Sequence, residues 1–124
     1  MGNAQVTPEK KGIKFGSIKD PNNSRPGYYT NGKIIKYHTD ELEMIPGENV
    51  ESFKKLKYGY ATTNKRVFYK GKPVSGIVNP ANFRIINRNQ ISSFGNEQLT
   101  KLDSVLGLEN VNGDNHIFYK GYLI

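Results

Sequence analysis

The stretch that decides the fold reads Val67-Phe68-Tyr69-Lys70-Gly71-Lys72, an aromatic strand sequence that runs into a glycine turn. Closely similar phrases occur at residues 117–122 and, with one additional residue before the glycine, at residues 28–33. An internal repeat of this kind predicts a repeated structural unit. Because one copy is too small to bury its apolar residues, the copies are expected to pack on one another.

These phrases predict a mainly β (α+β) fold of three antiparallel β-hairpin repeats. Asn31-Gly32 is the strongest turn signal, because both residues tolerate the positive φ of a two-residue type I′ turn. Lys70-Gly71 and Lys120-Gly121 are weaker versions of this turn. Short helical turns are expected after Asn49 and Asn79, because both begin the same pattern of Asn, three residues and Phe. Asn79 is also a good helix cap, and Pro80 suits the first helical position.

One longer segment has the spacing of an amphipathic helix, near residues 97–106. Asn96 can cap its start and Gly107 its end. The polar residues 1–24 are interpreted as a flexible N-terminal arm that ends in a first strand near residues 13–18. Residues 25–124 are then a single β-repeat domain, a usual size for one domain.

Composition excludes several classes of function. The 124 residues contain no cysteine, which rules out disulfides, iron–sulfur clusters and cysteine-ligated zinc. No apolar run is long enough to cross a bilayer. The compartment stays open: cytoplasmic if the chain is complete, the cell envelope if a signal sequence was trimmed. We find no phosphate-cradling glycine loop and no serine in a nucleophile elbow, and therefore expect no cofactor.

The middle copy resembles the bacterial DKNYY repeat family. The resemblance is carried by residues 60–74, which read Tyr-Ala-Thr-Thr-Asn-Lys-Arg-Val-Phe-Tyr-Lys-Gly-Lys-Pro-Val, and by the following Asn79-Pro80-Ala81-Asn82-Phe83. Thr63 and Asn79 stand where the family has aspartate. The third copy matches the first half of the family's repeat, and the first copy matches loosely. The resemblance implies a β-repeat domain from a bacterium, found near envelope or toxin–immunity functions, and implies no enzymatic activity.

The net charge of +7 is unevenly distributed. Residues 52–96 contain nine basic residues and no acidic residue. The candidate basic face comprises Lys65, Arg66, Lys70, Lys72, Arg84 and Arg88. A candidate acidic patch comprises Asp40, Glu41, Glu43, Glu48 and Glu51. Such runs form either ordinary solvated strand faces or a surface for a charged partner, and a basic surface speeds encounter with an anionic partner.

Strand alternation leaves the role of the aromatic residues open. If Val67 and Tyr69 face the core, Phe68 lies on the opposite face with Arg66 and Lys70. Phe68 then belongs either to a second packed layer, which repeats favour, or to an exposed recognition surface. Pro73 cannot donate to a strand ladder, so it is expected on an edge strand or at a bulge.

The two histidines give little support to catalysis or metal binding. His38 is close to Asp40 and Glu41, but this density of ligands is poor for a metal. His116 could act with His38 in acid–base cleavage of RNA only if the fold brought them together. No catalytic residue and no metal ligand are assigned, and the enzyme question leans towards no.

Three functions fit these observations. The first is a non-catalytic protein-binding module, an immunity-type protein that binds and neutralises a toxin with an acidic surface. The second is a basic nucleic-acid-binding or nuclease toxin domain, because Tyr58, Tyr60, Phe68 and Tyr69 are interleaved with cations. The third is a cell-envelope module that binds an anionic polymer. The oligomeric state is not indicated by the sequence.

Overall fold

Three antiparallel sheets follow one another along the chain. The computed structural model describes residues 15–18, 27–86 and 106–124. Sheet 1 contains β1 (Gly16–Ile18), β2 (Tyr28–Thr30), β3 (Ile35–Tyr37) and β4 (Asp40–Glu41). Sheet 2 contains β5 (Lys54–Lys55), β6 (Tyr60–Thr62), β7 (Val67–Tyr69) and β8 (Lys72–Pro73). Sheet 3 contains β9 (Phe83–Ile86), β10 (Leu106–Val111), β11 (Asp114–Tyr119) and β12 (Tyr122–Leu123).

Each sheet is a meander, because neighbouring strands in the sheet are also consecutive in the chain. The predicted β class is therefore confirmed. The recurring unit is a four-stranded sheet, whereas a hairpin was expected. The last strand of every sheet is placed in the same way: the N–H groups of Leu42, Val74 and Ile124 donate to the carbonyls of Ile35, Val67 and Ile117 at 2.8, 2.8 and 2.9 Å.

Short capped 3-10 helices lead into sheets 2 and 3. They span Val50–Ser52 and Pro80–Asn82. The side chain of Asn49 accepts a hydrogen bond from the Ser52 N–H at 2.8 Å, and that of Asn79 accepts one from the Ala81 N–H at 3.1 Å. The predicted cap at Asn79 is thus confirmed, and Asn49 caps the equivalent helix of the preceding unit. A third 3-10 helix, Lys57–Gly59, connects β5 to β6.

Sheet 2 lies between the other two sheets, and both of its faces are packed. Phe68 is buried in a cluster with Tyr28, Ile35 and Leu42 of the sheet 1 unit. Its neighbour Val67 is buried on the opposite face, in a cluster that contains Phe118 of sheet 3. Of the two roles that alternation left open for Phe68, the structure shows the second packed layer.

A tyrosine–glycine contact joins each sheet to the next. The turn after β7 approaches sheet 1 so closely that a Cβ on Gly71 would lie 2.7 Å from the Cβ of Tyr37. The hydroxyl of Tyr28 accepts a hydrogen bond from the Gly71 N–H at 2.9 Å and donates one to the Gly59 carbonyl at 2.8 Å. Burial raises the pKa of Tyr28 well above its usual range, although the bond from Gly71 opposes this shift.

The same joint recurs one unit further along the chain. A Cβ on Gly121 would lie 2.8 Å from the Cβ of Tyr69, and the Gly121 N–H donates to the hydroxyl of Tyr60 at 3.0 Å. Burial raises the pKa of Tyr60 to about 12, with the Gly121 bond again acting in the opposite direction. The two joints therefore fix the order in which the sheets stack.

The outer face of sheet 1 differs from the matching faces of sheets 2 and 3. Lys36 and Glu41 are cross-strand partners on this face. The corresponding pair is Phe68 with Pro73 in sheet 2 and Phe118 with Leu123 in sheet 3. An oppositely charged pair thus stands where sheets 2 and 3 have an apolar pair, and the Lys36 ammonium lies 4.5 Å from the centre of the Phe15 ring.

Three sequence predictions need correction or fall outside the described residues. The loop between β2 and β3 has four residues rather than two, because Thr30 pairs with Ile35. Only Gly32 has positive φ there, and the Asn31 side chain instead accepts the N–H groups of Lys33 and Ile34, both at 2.9 Å.

The amphipathic helix predicted near residues 97–106 lies outside the described residues except at its end. Leu106 and Gly107 are in strand β10, so Gly107 is not a helix cap. The Phe83 ring covers Gly107 and occupies the space that a Cβ there would need. Most of the predicted arm, residues 1–24, is also outside the described residues, and its residues 16–18 form β1, paired with β2.

Candidate binding groove

The predicted basic face is divided between separate parts of the surface. Lys65 and Arg66 precede β7, whereas Lys70 and Lys72 follow it, so the two pairs lie at opposite ends of this strand. Arg84 is exposed on β9, the strand of sheet 3 furthest from β12. Arg88 lies outside the described residues. The structure thus brings together Lys70 and Lys72 and places the other described members of the predicted basic face elsewhere.

Arg66 forms an ion pair within the protein. Its side chain contacts both carboxylate oxygens of Glu48, at 2.8 Å and 3.2 Å, and lies 4.8 Å from the centre of the Phe68 ring. Glu48 also accepts hydrogen bonds from the Thr63 hydroxyl and the Ile45 N–H. Burial alone would raise the pKa of Glu48, but these hydrogen bonds, foremost those from Arg66, hold it below its usual range.

Glu48 does not belong to the exposed acidic patch that was predicted, because it is buried and paired with Arg66. The remaining members, Asp40, Glu41, Glu43 and Glu51, are exposed. Asp40 and Glu41 form β4 at the edge of sheet 1. Two acidic side chains therefore lie at the edge of sheet 1, whereas Lys70 and Lys72 belong to sheet 2 and its last turn.

A groove of about 260 Å³ opens between the edges of sheets 2 and 3. One wall is formed by residues 72–76 and the other by residues 120–123, with Tyr69 beneath them. Lys72 and Lys120 both line the groove, and the described residues that line it include no carboxylate. Register places Lys72 on the face of sheet 2 that is directed at sheet 3, since it pairs with Tyr69, which in turn pairs with the buried Tyr60.

The edge strand β12 exposes apolar side chains beside this groove. Tyr122, Leu123 and Ile124 are 77%, 50% and 57% exposed. Leu123 is directed towards sheet 2, because its side chain lies within 3.3 Å of the position of a Cβ on Gly76. A group of exposed apolar residues at a strand edge is a feature of interaction surfaces.

The backbone N–H and carbonyl groups of Leu123 are not hydrogen-bonded to the neighbouring strand β11. Adjacent pairs of an antiparallel ladder alternate between hydrogen-bonded and non-hydrogen-bonded. The bond from the Ile124 N–H to the Ile117 carbonyl marks a hydrogen-bonded pair, so the neighbouring pair Phe118–Leu123 is non-hydrogen-bonded. The N–H and carbonyl of Leu123 are therefore directed to the open edge.

The equivalent edge positions in the other sheets are protected. The same argument places Glu41 of β4 and Pro73 of β8 at the outward position. Charged residues and prolines are common devices against edge pairing, and proline offers no N–H at all. The prediction that Pro73 occupies an edge strand is confirmed. Among the last strands of the three sheets, β4, β8 and β12, only β12 has an ordinary apolar residue at this position.

Sequence reasoning missed Lys120, Tyr122 and Leu123. A usable signal was present, because the two residues after each turn can be compared directly. They read Asp40-Glu41, Lys72-Pro73 and Tyr122-Leu123. Read as edge strands, the first two carry edge protection and the third does not.

The histidines are far apart in the stack. His38 occupies the turn after β3, with its ring 4.4 Å from that of Tyr37, whereas His116 lies on β11 with sheet 2 between them. The His116 Nδ1 is buried without a hydrogen-bond partner. Its cross-strand neighbour Glu109 is fully buried, and its carboxylate accepts the N–H groups of Val78 and Asn79. Among the described residues, no group of acidic residues and histidines could hold a metal ion.

The aromatic residues proposed for base stacking are mostly inaccessible. Tyr60 and Phe68 are buried, and Tyr69 is half-buried with the Lys70 ammonium 5.4 Å from its ring centre. Tyr58 is 57% exposed and has a left-handed backbone conformation, with φ 61°. It is thus the one member of that set with an open ring face.

No family model, curated protein or solved structure matches this chain. The resemblance to the DKNYY repeat family therefore stays a prediction. In the part of the chain that the structure describes, no helix is long and apolar enough to cross a membrane.

Proposed function

We propose that this chain is a non-catalytic protein-binding module of a bacterium, of the immunity type, which binds and neutralises a toxin through the groove between β8 and β12. The observation that carries the proposal is the unprotected apolar edge of β12 beside this groove. Exposed apolar edges are hazardous for a solitary protein, and natural sheets usually avoid them. The resemblance to the DKNYY family supports the bacterial and immunity-type parts.

Electrostatics support an acidic binding surface on the partner. Lys72 and Lys120 flank the groove, and Lys70 lies in the adjoining turn. Lysines at the rim of an interface act mainly on association rate and specificity, and their contribution falls with added salt. The module would thus capture an acidic partner quickly and hold it by apolar contacts at Tyr122 and Leu123.

A nucleic-acid partner is the second candidate, favoured by the exposed ring of Tyr58 next to the lysine-bearing turn. A base-stacking surface requires several accessible rings along a basic groove. Burial of Tyr60 and Phe68 removes two of the four rings on which this alternative rested. A protein partner therefore explains more of the described surface.

Site-specific photocrosslinking tests the proposal. A benzophenone amino acid replaces Tyr122 in one variant and Lys36, on the outer face of sheet 1, in the control. In a lysate of the source bacterium, the Tyr122 variant should crosslink to a distinct protein whose crosslinked peptide is acidic, and the Lys36 variant should not. The crosslink should weaken with added salt and with the charge reversal Lys72→Glu.

Two results would refute the proposed function. One is identical crosslinking from both positions, which would indicate non-specific contact. The other is retention of RNA or DNA at low salt, with an affinity that falls steeply as salt is added and no protein crosslink.

A further inference from the structure

We infer that the groove takes an extended segment of the partner as an additional strand, antiparallel to β12, with acidic side chains at the C-terminal end of that segment. This inference rests on the proposed function and specifies how the partner is recognised. It starts from the outward N–H and carbonyl of Leu123, which are placed to pair with another strand. Strand addition to an open sheet edge is a recurrent mode of peptide recognition.

The direction of the added strand follows from hydrogen-bond geometry and charge. Antiparallel pairing is the more stable arrangement per residue, and β12 runs away from the turn at residues 120–121. An antiparallel segment therefore runs towards that turn and ends beside it. Lys120 lies in the turn and Lys72 begins β8 across the groove, so both cations lie at the C-terminal end of the added strand.

Side chains of the added strand would alternate between two environments. Those directed at sheet 2 would enter the groove, against Val74 and Gly76. Those on the other face would lie on the side of Tyr122, the most exposed apolar residue described. The expected motif is an alternating apolar stretch followed by carboxylates.

A second copy of this chain is a less favourable occupant. Pairing β12 with its own copy would bring together two chains that each carry a net charge of +7, and residues 122–124 of the copy would bring no acidic side chain to Lys72 and Lys120. Two exposed carboxylates of the same chain, Asp40 and Glu41, lie together on an edge strand, but there the outward position of β4 is itself occupied by the charged Glu41. An acidic foreign segment meets neither obstacle.

The test uses two fluorescent peptides of identical composition with blocked termini. One has alternating valine and threonine followed by aspartates, and the other has the aspartates first. Fluorescence polarisation should show about fivefold or stronger preference for the peptide that ends in aspartates, since each partly exposed charge pair contributes modestly. Equal affinity of the two peptides would refute the assigned direction.

Leu123→Pro tests the backbone bond, because proline removes the N–H at the outward position. Pro73 shows that proline is accepted at the equivalent place, and circular dichroism checks the fold. Peptide binding should weaken about fivefold or more, the usual effect of losing one hydrogen bond. The matched control, Glu41→Pro on β4, should leave binding unchanged.

Amide exchange measured by NMR separates the possible outcomes. Protection of the Leu123 amide on peptide binding supports strand addition. Peptide binding without that protection, or failure of both peptides while the Tyr122 crosslink persists, overturns strand addition and leaves the proposed function intact. Self-association that is lost in Leu123→Pro would identify a second copy as the occupant and refute the acidic foreign segment.

Discussion

Gly71→Ala should destabilise the protein much more than Gly113→Ala, and the difference measures the contact between sheets 1 and 2. Both glycines occupy the second position of a two-residue turn with positive φ at both residues: 49° and 84° for Lys70-Gly71, 52° and 92° for Asn112-Gly113. An alanine in this conformation costs roughly 1–2 kcal/mol at either position.

The surroundings of the two glycines differ. A Cβ on Gly113 would meet nothing within 4 Å, whereas one on Gly71 would lie 2.7 Å from the Cβ of Tyr37. Because that atom is fixed to the backbone of β3, a change of side-chain rotamer cannot relieve the overlap, and the two sheets must separate slightly. Overpacking of this kind typically costs about 1–3 kcal/mol.

The expected loss of unfolding free energy is therefore about 2–5 kcal/mol for Gly71→Ala and about 1–2 kcal/mol for Gly113→Ala. Urea unfolding followed by far-ultraviolet circular dichroism measures both, since the chain has no tryptophan. Equal losses in the two variants would refute the tyrosine–glycine joint as a stabilising contact. A loss confined to Gly113→Ala would refute it as well.

Three further predictions concern the buried hydrogen bonds of Tyr60 and Glu48. Tyr60→Phe leaves the Gly121 N–H without its partner and should cost about 1–3 kcal/mol, whereas Tyr58→Phe, which removes an exposed hydroxyl, should change stability by less than about 0.5 kcal/mol in the same urea assay. The raised pKa of Tyr60 favours the neutral hydroxyl in the folded state, so the stability it contributes is present below pH 10 and is lost as the pH rises towards 12. A pH series should show this loss reduced in Tyr60→Phe, and an unchanged profile would contradict it. The lowered pKa of Glu48 has the opposite sign: its contribution is present above about pH 4.5 and is lost as the pH falls through the folded-state pKa, a loss that Glu48→Gln should reduce in acid unfolding.

Local signals in the sequence predicted the parts of the fold that depend on local chemistry. The short helical turns after Asn49 and Asn79, the cap at Asn79 and the edge position of Pro73 follow from single residues and their neighbours. The alignment of the first unit was wrong because it followed the glycine of Asn31-Gly32, which lies in the loop between β2 and β3, whereas the turn after β3 contains no glycine. The turn equivalent to Lys70-Gly71 is His38-Thr39, and Tyr28 is equivalent to Tyr60.

The candidate site was harder to predict because charge runs in sequence do not show which charges are paired. Arg66 was assigned to a basic face, but Glu48, which lies 18 positions earlier, binds it inside the fold. Lys120 was outside the acid-free stretch, yet stacking of sheets 2 and 3 places it across the groove from Lys72. Lys72 and Lys120 are far apart in the sequence. They are close in the structure because Gly121 packs against Tyr69 and bonds to Tyr60 of sheet 2.

The tyrosine–glycine joints also bear on how such a chain could evolve. Because both boundaries use the same parts, a tyrosine hydroxyl on one side and a bare turn glycine on the other, a duplicated middle unit would meet a compatible neighbour above and below. The architecture can therefore lengthen or shorten in whole units by gene duplication or deletion. A copy of the middle unit stacked on the outer face of sheet 1 would instead meet the charged Lys36–Glu41 pair.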